Sequence, residues 1–358
     1  MSFERENIAQ ILGYLPGEQP SSSDVIKLNT NENPYPASPL VAEALSKIEV
    51  DELRRYPSAL ADEFCGIASR VHNVNPENII PTNGGDELLR LILTTFAGEN
   101  DTLAITSPSY SLYPVLANIQ GCSLTEIPLD KDLNYPNELA ELLVNSSAKI
   151  CFLVNPHAPT GGLLPVKFID NLASKFKGIL VIDEAYSDFV DPALGYDCLP
   201  LINKHKNLLL LRTLSKGYSL AGLRFGYGLG DSELISPIKY KTRDSYNTDY
   251  ISQKLACAAL SSREYAMSTW EKIRKSRKSL SSKLEQLGLK FWSSQTNFIL
   301  VQMPDDPGAE YVYKKLKIDN ILVRHFDVDN LNDKIRITIG SESENKRLIS
   351  SLINILKV

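Results

Sequence analysis

The stretch LLLLRTLSKGYSLAGLRFGYG, residues 208–228, decides how this sequence reads. Its four opening leucines form an apolar run too short for a helix and suited to a strand covered on both faces. The run passes into Thr213, Ser215 and Lys216, then into a glycine-spaced segment that reaches Arg224. A lysine just past a buried strand is unusual, because lysine is ordinarily solvated. Hydroxyls one and three residues before Lys216, with an arginine eight residues after it, could converge on one phosphate.

Outward from this segment, between about residues 79 and 230, short apolar runs alternate with amphipathic stretches, as in parallel strands joined by crossover helices. The expected strands are 79–81, 102–106, 149–154, 178–182 and 207–211. Leu88, Leu89, Ile92, Leu93 and Phe96 recur at helical spacing, so a helix begins at or just before Asp86, behind Gly84 and Gly85. In the last quarter the strand-like TNFILVQM, ILVRHF and KIRITIG precede Leu348, Ile349, Leu352, Ile353 and Leu356 at helical spacing. Ser341 with Glu344 reads as the capping box of that final helix. The expected fold class is α/β, with a large domain over about 30–245 built on a mainly parallel sheet flanked by helices. A connecting helix over about 246–280 and a small α/β C-terminal domain over 281–358 follow. An N-terminal arm, 1–29, packs with the small domain or a partner subunit.

Composition sets outer limits. A chain of 358 residues exceeds what one core usually supports, which fits a large and a small domain. Its 38 basic and 43 acidic residues are interspersed, leaving a formal charge of −5 and no footprint for nucleic acid or an anionic membrane. Any bound phosphate therefore needs a local site. Cys65, Cys122, Cys151, Cys198 and Cys257 are scattered, with no CxxC pair and no histidine at zinc-like spacing, so free thiols in a reducing compartment and no metal are expected. The start, MSFERENIAQILGYLPG, lacks the apolar stretch of a secretory signal, and no segment approaches the ~20 apolar residues of a membrane span. The expected location is the cytoplasm.

Three further strand ends carry polar chemistry. LVIDEAYSDF, 180–189, ends an apolar strand in Asp183 and Glu184 with Tyr186 beyond, and carboxylates at the carboxyl end of a parallel strand face the ligand crevice of an open α/β sheet. Strand-plus-DE also suits the magnesium-binding strand of P-loop NTPases, but GxxxxGK[ST] is absent. TNGGDELL, 82–89, opens a helix with two glycines whose N–H groups suit an anion, although a tight turn capped by Asp86 fits equally on local grounds. LVNPHAPTGG, 153–162, is a Pro- and Gly-rich turn. GYGLG after Arg224 is no dinucleotide fingerprint, since it fails GxGxxG.

With KLNTNENPYPASP, RRYPS, SPSYSLY, TNFILV, ILVRHFD and RITIG, these motifs run nearly end to end in order, and the chain resembles the pyridoxal-phosphate aminotransferases of aspartate-aminotransferase-type fold, the histidinol-phosphate aminotransferases in particular. The resemblance implies pyridoxal 5′-phosphate held as a Schiff base on Lys216, with Asp183 paired to the ring nitrogen so that the ring acts as an electron sink. It implies that Tyr186 donates to the ring O3′ and that Tyr110 stacks on the ring face. The cofactor phosphate would be held by backbone N–H groups of Gly85 and Asp86, by Thr213 and Ser215, and by Arg224. Tyr56 would reach that phosphate from the other subunit of a homodimer, with Tyr14 also near the interface. Arg324 and Arg336 would bind the anionic groups of small-molecule substrates, the phosphate of histidinol phosphate and the carboxylate of glutamate. Tyr14, Asn33 and Asn247, the last beside Tyr246, would lie near the substrate.

One position departs from the pattern. The family asparagine that precedes Pro-Thr-Gly and bonds O3′ is Ala158 here, so either Tyr186 serves O3′ alone or Asn155 or His157 substitutes. The implied reaction is a ping-pong transamination of L-histidinol phosphate with 2-oxoglutarate, giving imidazole-acetol phosphate and L-glutamate in histidine biosynthesis, with Lys216 as general base. The alternatives are an aromatic amino-acid aminotransferase, a lyase like threonine-phosphate decarboxylase, and a non-catalytic binding protein on the same fold. Retention of Lys216, Asp183, Tyr186 and Arg224 argues against the last.

Overall fold

The computed structural model describes residues 3–20, 22 and 24–357. Strand β1 (Ile26–Lys27) follows the N-terminal arm. Seven strands then build the main sheet: β2 (Ile79–Thr82), β3 (Thr102–Ser107), β4 (Ser123–Pro128), β5 (Ile150–Val154), β6 (Ile179–Asp183), β7 (Leu208–Thr213) and β8 (Gly226–Gly230). Their order across the sheet is β2-β8-β7-β6-β5-β3-β4. Strands β3 to β7 are mutually parallel, and β8 alone runs antiparallel to both of its neighbours. Every residue of β5 is buried, and β6 and β7 each leave only one residue partly open, as expected for strands with helices on both faces. The helix Gly84–Phe96 contributes Leu88, Leu89, Ile92 and Leu93 to this core.

Beyond the helices Tyr250–Ser261 and Arg263–Gln286 lie β9 (Phe298–Gln302), β10 (Ile321–Leu322), β11 (Arg324–His325) and β12 (Lys334–Thr338). Strands β11-β12-β9 form an antiparallel sheet, while β10 pairs in parallel with β1, so the N-terminal segment is tied to the C-terminal unit. The last helix, Glu342–Leu356, starts with the capping box of Ser341 and Glu344. The fold is α/β, and each of the five expected strands is present with ends shifted by at most two residues. The connection expected over about 246–280 is two helices and continues to Gln286. All five cysteines are free and buried. Among the described residues, no helix is long and apolar enough to cross a membrane.

Besides the short β1, two strands of the main sheet were not anticipated. Strand β4 is a sheet edge with mostly open side chains, so it carries no continuous apolar run. Strand β8 reads GYGLG, and glycine is depleted in strands. Close approach explains its composition: a Cβ on Gly226 would lie 2.8 Å from the backbone of Gly84 and Gly85, and one on Gly228 would lie 3.0 Å from Ile80 and Leu88. The start of the Gly84–Phe96 helix is thereby seated directly on the sheet.

Gly226→Ala is expected to lower the urea midpoint by the equivalent of ~1–3 kcal/mol, because the added methyl meets backbone that cannot turn aside. Gly222→Ala, whose Cβ would meet nothing within 4 Å, should leave the midpoint unchanged within ~0.5 kcal/mol. Equal midpoints for the two variants would show that the approach of Gly226 to the helix start is not tight.

Candidate active site

The carboxyl ends of β5, β6 and β7, the start of the Gly84–Phe96 helix and strands β11 and β12 enclose a cavity of about 220 Å³. This is the crevice position that open α/β sheets use for ligands. Lys216 lies three residues past β7, and its Nζ donates to the Thr30 carbonyl at 2.7 Å. Burial lowers its pKa from 10.5 to about 8, helped by the positive charges of Arg336, Lys27 and Arg224 and opposed by Glu32. A lysine so placed reaches its neutral, nucleophilic form near physiological pH.

Asp183 ends β6 and is 6% exposed. Tyr113 donates its hydroxyl to Oδ2 at 2.8 Å, and the Ala185 N–H donates to Oδ1 at 3.0 Å. Burial nevertheless raises the carboxyl pKa from 3.8 to about 6, the two hydrogen bonds acting in the opposite sense. No cation is paired with it among the described residues, so a cationic group entering the cavity would relieve the cost of its charge. Tyr186 is buried beside it, edge-on to Phe298 with ring centres 5.1 Å apart, and its hydroxyl accepts from Asn31 Nδ2 at 2.9 Å. Burial raises the Tyr186 pKa, while Arg336 and the bond from Asn31 oppose the rise.

Three elements form an anion cradle. Gly84 has φ +81°, and a Cβ there would stand 2.7 Å from the Arg224 guanidinium, so glycine lets the arginine close over the helix start. Arg224, itself at φ +54°, reaches Asp86 at 3.4 Å in a half-exposed pair of the kind worth little. Its remaining donors are available to a stronger anion. Thr213 and Ser215 complete the cradle, joined by a hydroxyl–hydroxyl bond of 2.9 Å. Tyr110 stands over the cavity with its hydroxyl donated to Asp86 at 3.2 Å and the Tyr14 ring edge-on at 5.8 Å.

At the opposite wall Arg324 and Arg336 face each other as register partners of β11 and β12. Arg336 donates to the Asn29 carbonyl at 3.1 Å, lies 5.1 Å from the Phe298 ring centre, and keeps a buried Nε without a partner. Arg324 donates to the Leu15 carbonyl at 3.5 Å. Among the described residues neither arginine has a carboxylate partner, so this wall is a second cationic site.

Tyr14, Gly85, Asp86, Tyr110, Asp183, Tyr186, Thr213, Ser215, Lys216, Arg224, Arg324 and Arg336 all line the one cavity. Four expected residues do not. The Asn155 amide is consumed within its own loop, donating to Leu164 O and Tyr196 Oη at 3.0 Å and accepting from Leu164 N at 2.8 Å. His157 is likewise buried in that turn on Thr160, and the methyl of Ala158 lines the cavity instead. Asn33 lies behind Lys216, bonded to Gly217 O at 3.4 Å and Thr269 Oγ1 at 3.2 Å. Asn247 bridges Pro81 O at 3.1 Å and Glu87 at 2.9 Å. Tyr56 is 80% exposed and stacks on Tyr246 with ring centres 4.4 Å apart. Two residues were missed, Asn31 and Tyr113. Their signals, an Asn within the polar TNEN run and a second tyrosine three residues after Tyr110, are faint.

The family model for aminotransferase class I and II matches residues 23–352. Histidinol-phosphate aminotransferase 1 of Trichormus variabilis is 40% identical over 357 residues, covering 99% of either chain. The histidinol-phosphate aminotransferase of Citrifermentans bemidjiense is 40% identical over 349 residues, 97% of either chain. The crystal structure of histidinol-phosphate aminotransferase from Sinorhizobium meliloti in complex with pyridoxal-5′-phosphate aligns with a TM-score of 0.88 at 24% identity, covering 100% of this chain and 98% of that one, a likeness of fold.

Burial of Asp183 has a measurable consequence. Because its folded pKa near 6 lies above the ordinary 3.8, the carboxyl favours folding only while protonated, and this advantage disappears as pH rises through 6. Asp183→Asn should therefore raise the stability of the cofactor-free protein at pH 8 by on the order of 1–3 kcal/mol, with the gain shrinking as pH falls from 6 toward 4. Denaturant melts across that range check it, and a variant less stable than wild type at pH 8 would contradict it.

Proposed function

The chain belongs to the aminotransferase class I and II family, and from that premise we propose that it carries the amino group of L-histidinol phosphate to 2-oxoglutarate, with pyridoxal 5′-phosphate as cofactor. The observation that carries the substrate reading is the second cationic wall, Arg324 and Arg336, facing the same cavity as the Arg224 cradle but without acidic partners. A cavity with two separate anion sites suits a phosphorylated cofactor at one end and a phosphate- or carboxylate-bearing substrate at the other. The names of the relatives of about 40% identity point the same way.

The residues present fit the cofactor. Lys216 offers an amine that is neutral above about pH 8, Asp183 is a buried carboxylate in need of a cation, and the Gly84–Asp86 turn with Thr213, Ser215 and Arg224 offers a phosphate seat. When bound, pyridoxal phosphate supplies an electron sink for the carbanion left by loss of the substrate Cα proton. The Asp183 carboxylate would hold the ring nitrogen protonated, aimed by the hydrogen bonds from Tyr113 and the Ala185 N–H. Lys216 Nζ would hold the cofactor through its aldehyde and, as an amine whose pKa burial lowers to about 8, would serve as general base for the Cα proton. Tyr110 would cover the ring face, and Tyr186 would donate to O3′, since Asn155 and His157 do not line the cavity. Arg336 and Arg324 grip the substrate anion and orient its Cα–H toward Lys216.

Tyr56 belongs to a second copy's cradle in this reading, so the working unit is a homodimer. Its exposure, shared by Val50 and Leu53 of the same segment, supports a covered face there. The five free thiols suit the reducing cytoplasm.

The test is the visible spectrum of the purified protein with and without L-histidinol phosphate, L-glutamate and L-phenylalanine. The expected result is a cofactor band in wild type, absent from Lys216→Ala, that is consumed by histidinol phosphate at low concentration. A response to phenylalanine alone would move the substrate to an aromatic amino acid, and release of CO₂ would move the chemistry to a lyase. Absence of a band even with added cofactor would overturn the reading. Arg336→Ala is expected to lower kcat/KM for the phosphorylated substrate roughly 10²-fold, as losing one partner of a buried charged contact costs ~2–5 kcal/mol.

A further inference from the structure

We propose that Asn31 is a positioning residue for this reaction, which turns the hydroxyl proton of Tyr186 into the cavity and so takes over a task that Ala158 cannot perform. The inference rests on the cofactor reading above. A phenol has one proton, and an amide nitrogen can donate but not accept. With Asn31 Nδ2 at 2.9 Å, the Tyr186 oxygen is the acceptor in that contact, so its own proton is left to point elsewhere.

The orientation of the Asn31 amide is fixed by its other neighbours. Thr338 Oγ1 accepts from the Asn31 backbone N–H at 3.0 Å, which frees the Thr338 proton to go to Asn31 Oδ1 at 3.2 Å. The amide oxygen therefore faces Thr338 and the nitrogen faces Tyr186. Asn297 Nδ2 holds the Asn31 carbonyl at 2.9 Å. Asn31, Thr338 and Asn297 are each at most 1% exposed, so water does not compete for these bonds. Asn31 sits at φ +58°, a left-handed conformation that Asn and Asp adopt at little cost.

The Ala158 side chain has no donor, and Asn155 and His157 are held in their own turn and do not line the cavity. Donation to the O3′ side of the cofactor thus falls to Tyr186, and a phenol free to rotate would donate there only part of the time. The charged and titratable groups facing the Tyr186 hydroxyl are Arg336, Asp183 and Tyr14, and those facing Lys216 are Arg336, Glu32, Lys27 and Arg224. None of them is altered by the variants below.

The measurement is the pH midpoint of the visible band of the holoenzyme, which reports how readily the Lys216 nitrogen loses its proton beside O3′. A hydrogen bond to O3′ stabilises its anionic form and lowers that midpoint. Asn31→Ala removes the orienting donor and should raise the midpoint by about 0.5 unit. Asn31→Asp keeps shape and tolerates the left-handed backbone, but its carboxylate captures the Tyr186 proton, so the midpoint should rise by about 1 unit or more. In a Tyr186→Phe background the Asn31→Ala shift should vanish, and Asn31→Asp should keep only the part due to its charge. Shifts that persist in full in the Tyr186→Phe background would overturn the proposal, because Asn31 would then act by field or packing and not through the phenol. No shift in either single variant would also overturn it. If Asn31→Ala does not fold, the Asn31→Asp series with and without the Tyr186 hydroxyl decides alone. A wild-type protein without a cofactor band would instead bring down the reading beneath it.

Discussion

A carboxylate sealed from water without a cation is the constraint on which the rest of this site turns. Asp183 receives two hydrogen bonds, yet burial outweighs them and leaves its pKa near 6. Across the cavity Lys216 is displaced in the opposite sense, toward about 8. Both displacements express one cause, the loss of hydration of a charged group. In the proposed reading, the group that the cavity takes is cationic near Asp183, reactive toward an amine near Lys216, and anionic near Arg224. Strands covered on both faces make this possible, because only their ends combine deep burial with access to a ligand.

The clustering of Thr213, Ser215 and Arg224 on the start of the Gly84–Phe96 helix follows from the reversed strand. Thr213, the last residue of β7, is in register with Gly226, the first of β8, so the intervening loop carries both Lys216 and Arg224 back over the same strand end. Gly226 in turn lies against Gly84 and Gly85, which brings the helix start under Arg224. The hydroxyls and the guanidinium of one loop thus meet the helix N–H groups, more than a hundred residues earlier in the chain, because two glycine-bearing segments can approach backbone to backbone. A side chain at Gly226 would part them.

How much of this was legible follows from the same physics. Strands β5, β6 and β7 were readable because burial on both faces demands unbroken apolar runs, and their reactive residues were readable because each run stops at a polar one. Strand β8 was not, since its glycines answer a demand from the Gly84 turn that local sequence does not contain. Asn155 was a candidate as a substitute for the family asparagine replaced by Ala158, but sequence does not say which way an amide points, and this one turns inward to Leu164 and Tyr196. Asn31 and Tyr113 were missed for a related reason. Their importance lies in bonds to Tyr186 and Asp183, 155 and 70 residues away in the chain.

Three consecutive residues of the N-terminal segment join the two halves of the site. The carbonyl of Asn29 accepts from Arg336, that of Thr30 from Lys216, and that of Asn31 from Asn297, while the Asn31 amide reaches Tyr186. The segment is itself fastened to the C-terminal unit, through β1 on β10 and through Leu28 O, which accepts from Thr338 N at 2.9 Å. The position of Arg336 is therefore set against the same short segment that accepts from Lys216 and donates to Tyr186. The polar run KLNTNEN, ordinary as a turn, is best understood as this shared anchor: Lys27, Thr30 and Glu32 bond one another within it, while the Asn31 and Asn33 amides and the carbonyls of Asn29, Thr30 and Asn31 are spent on distant partners.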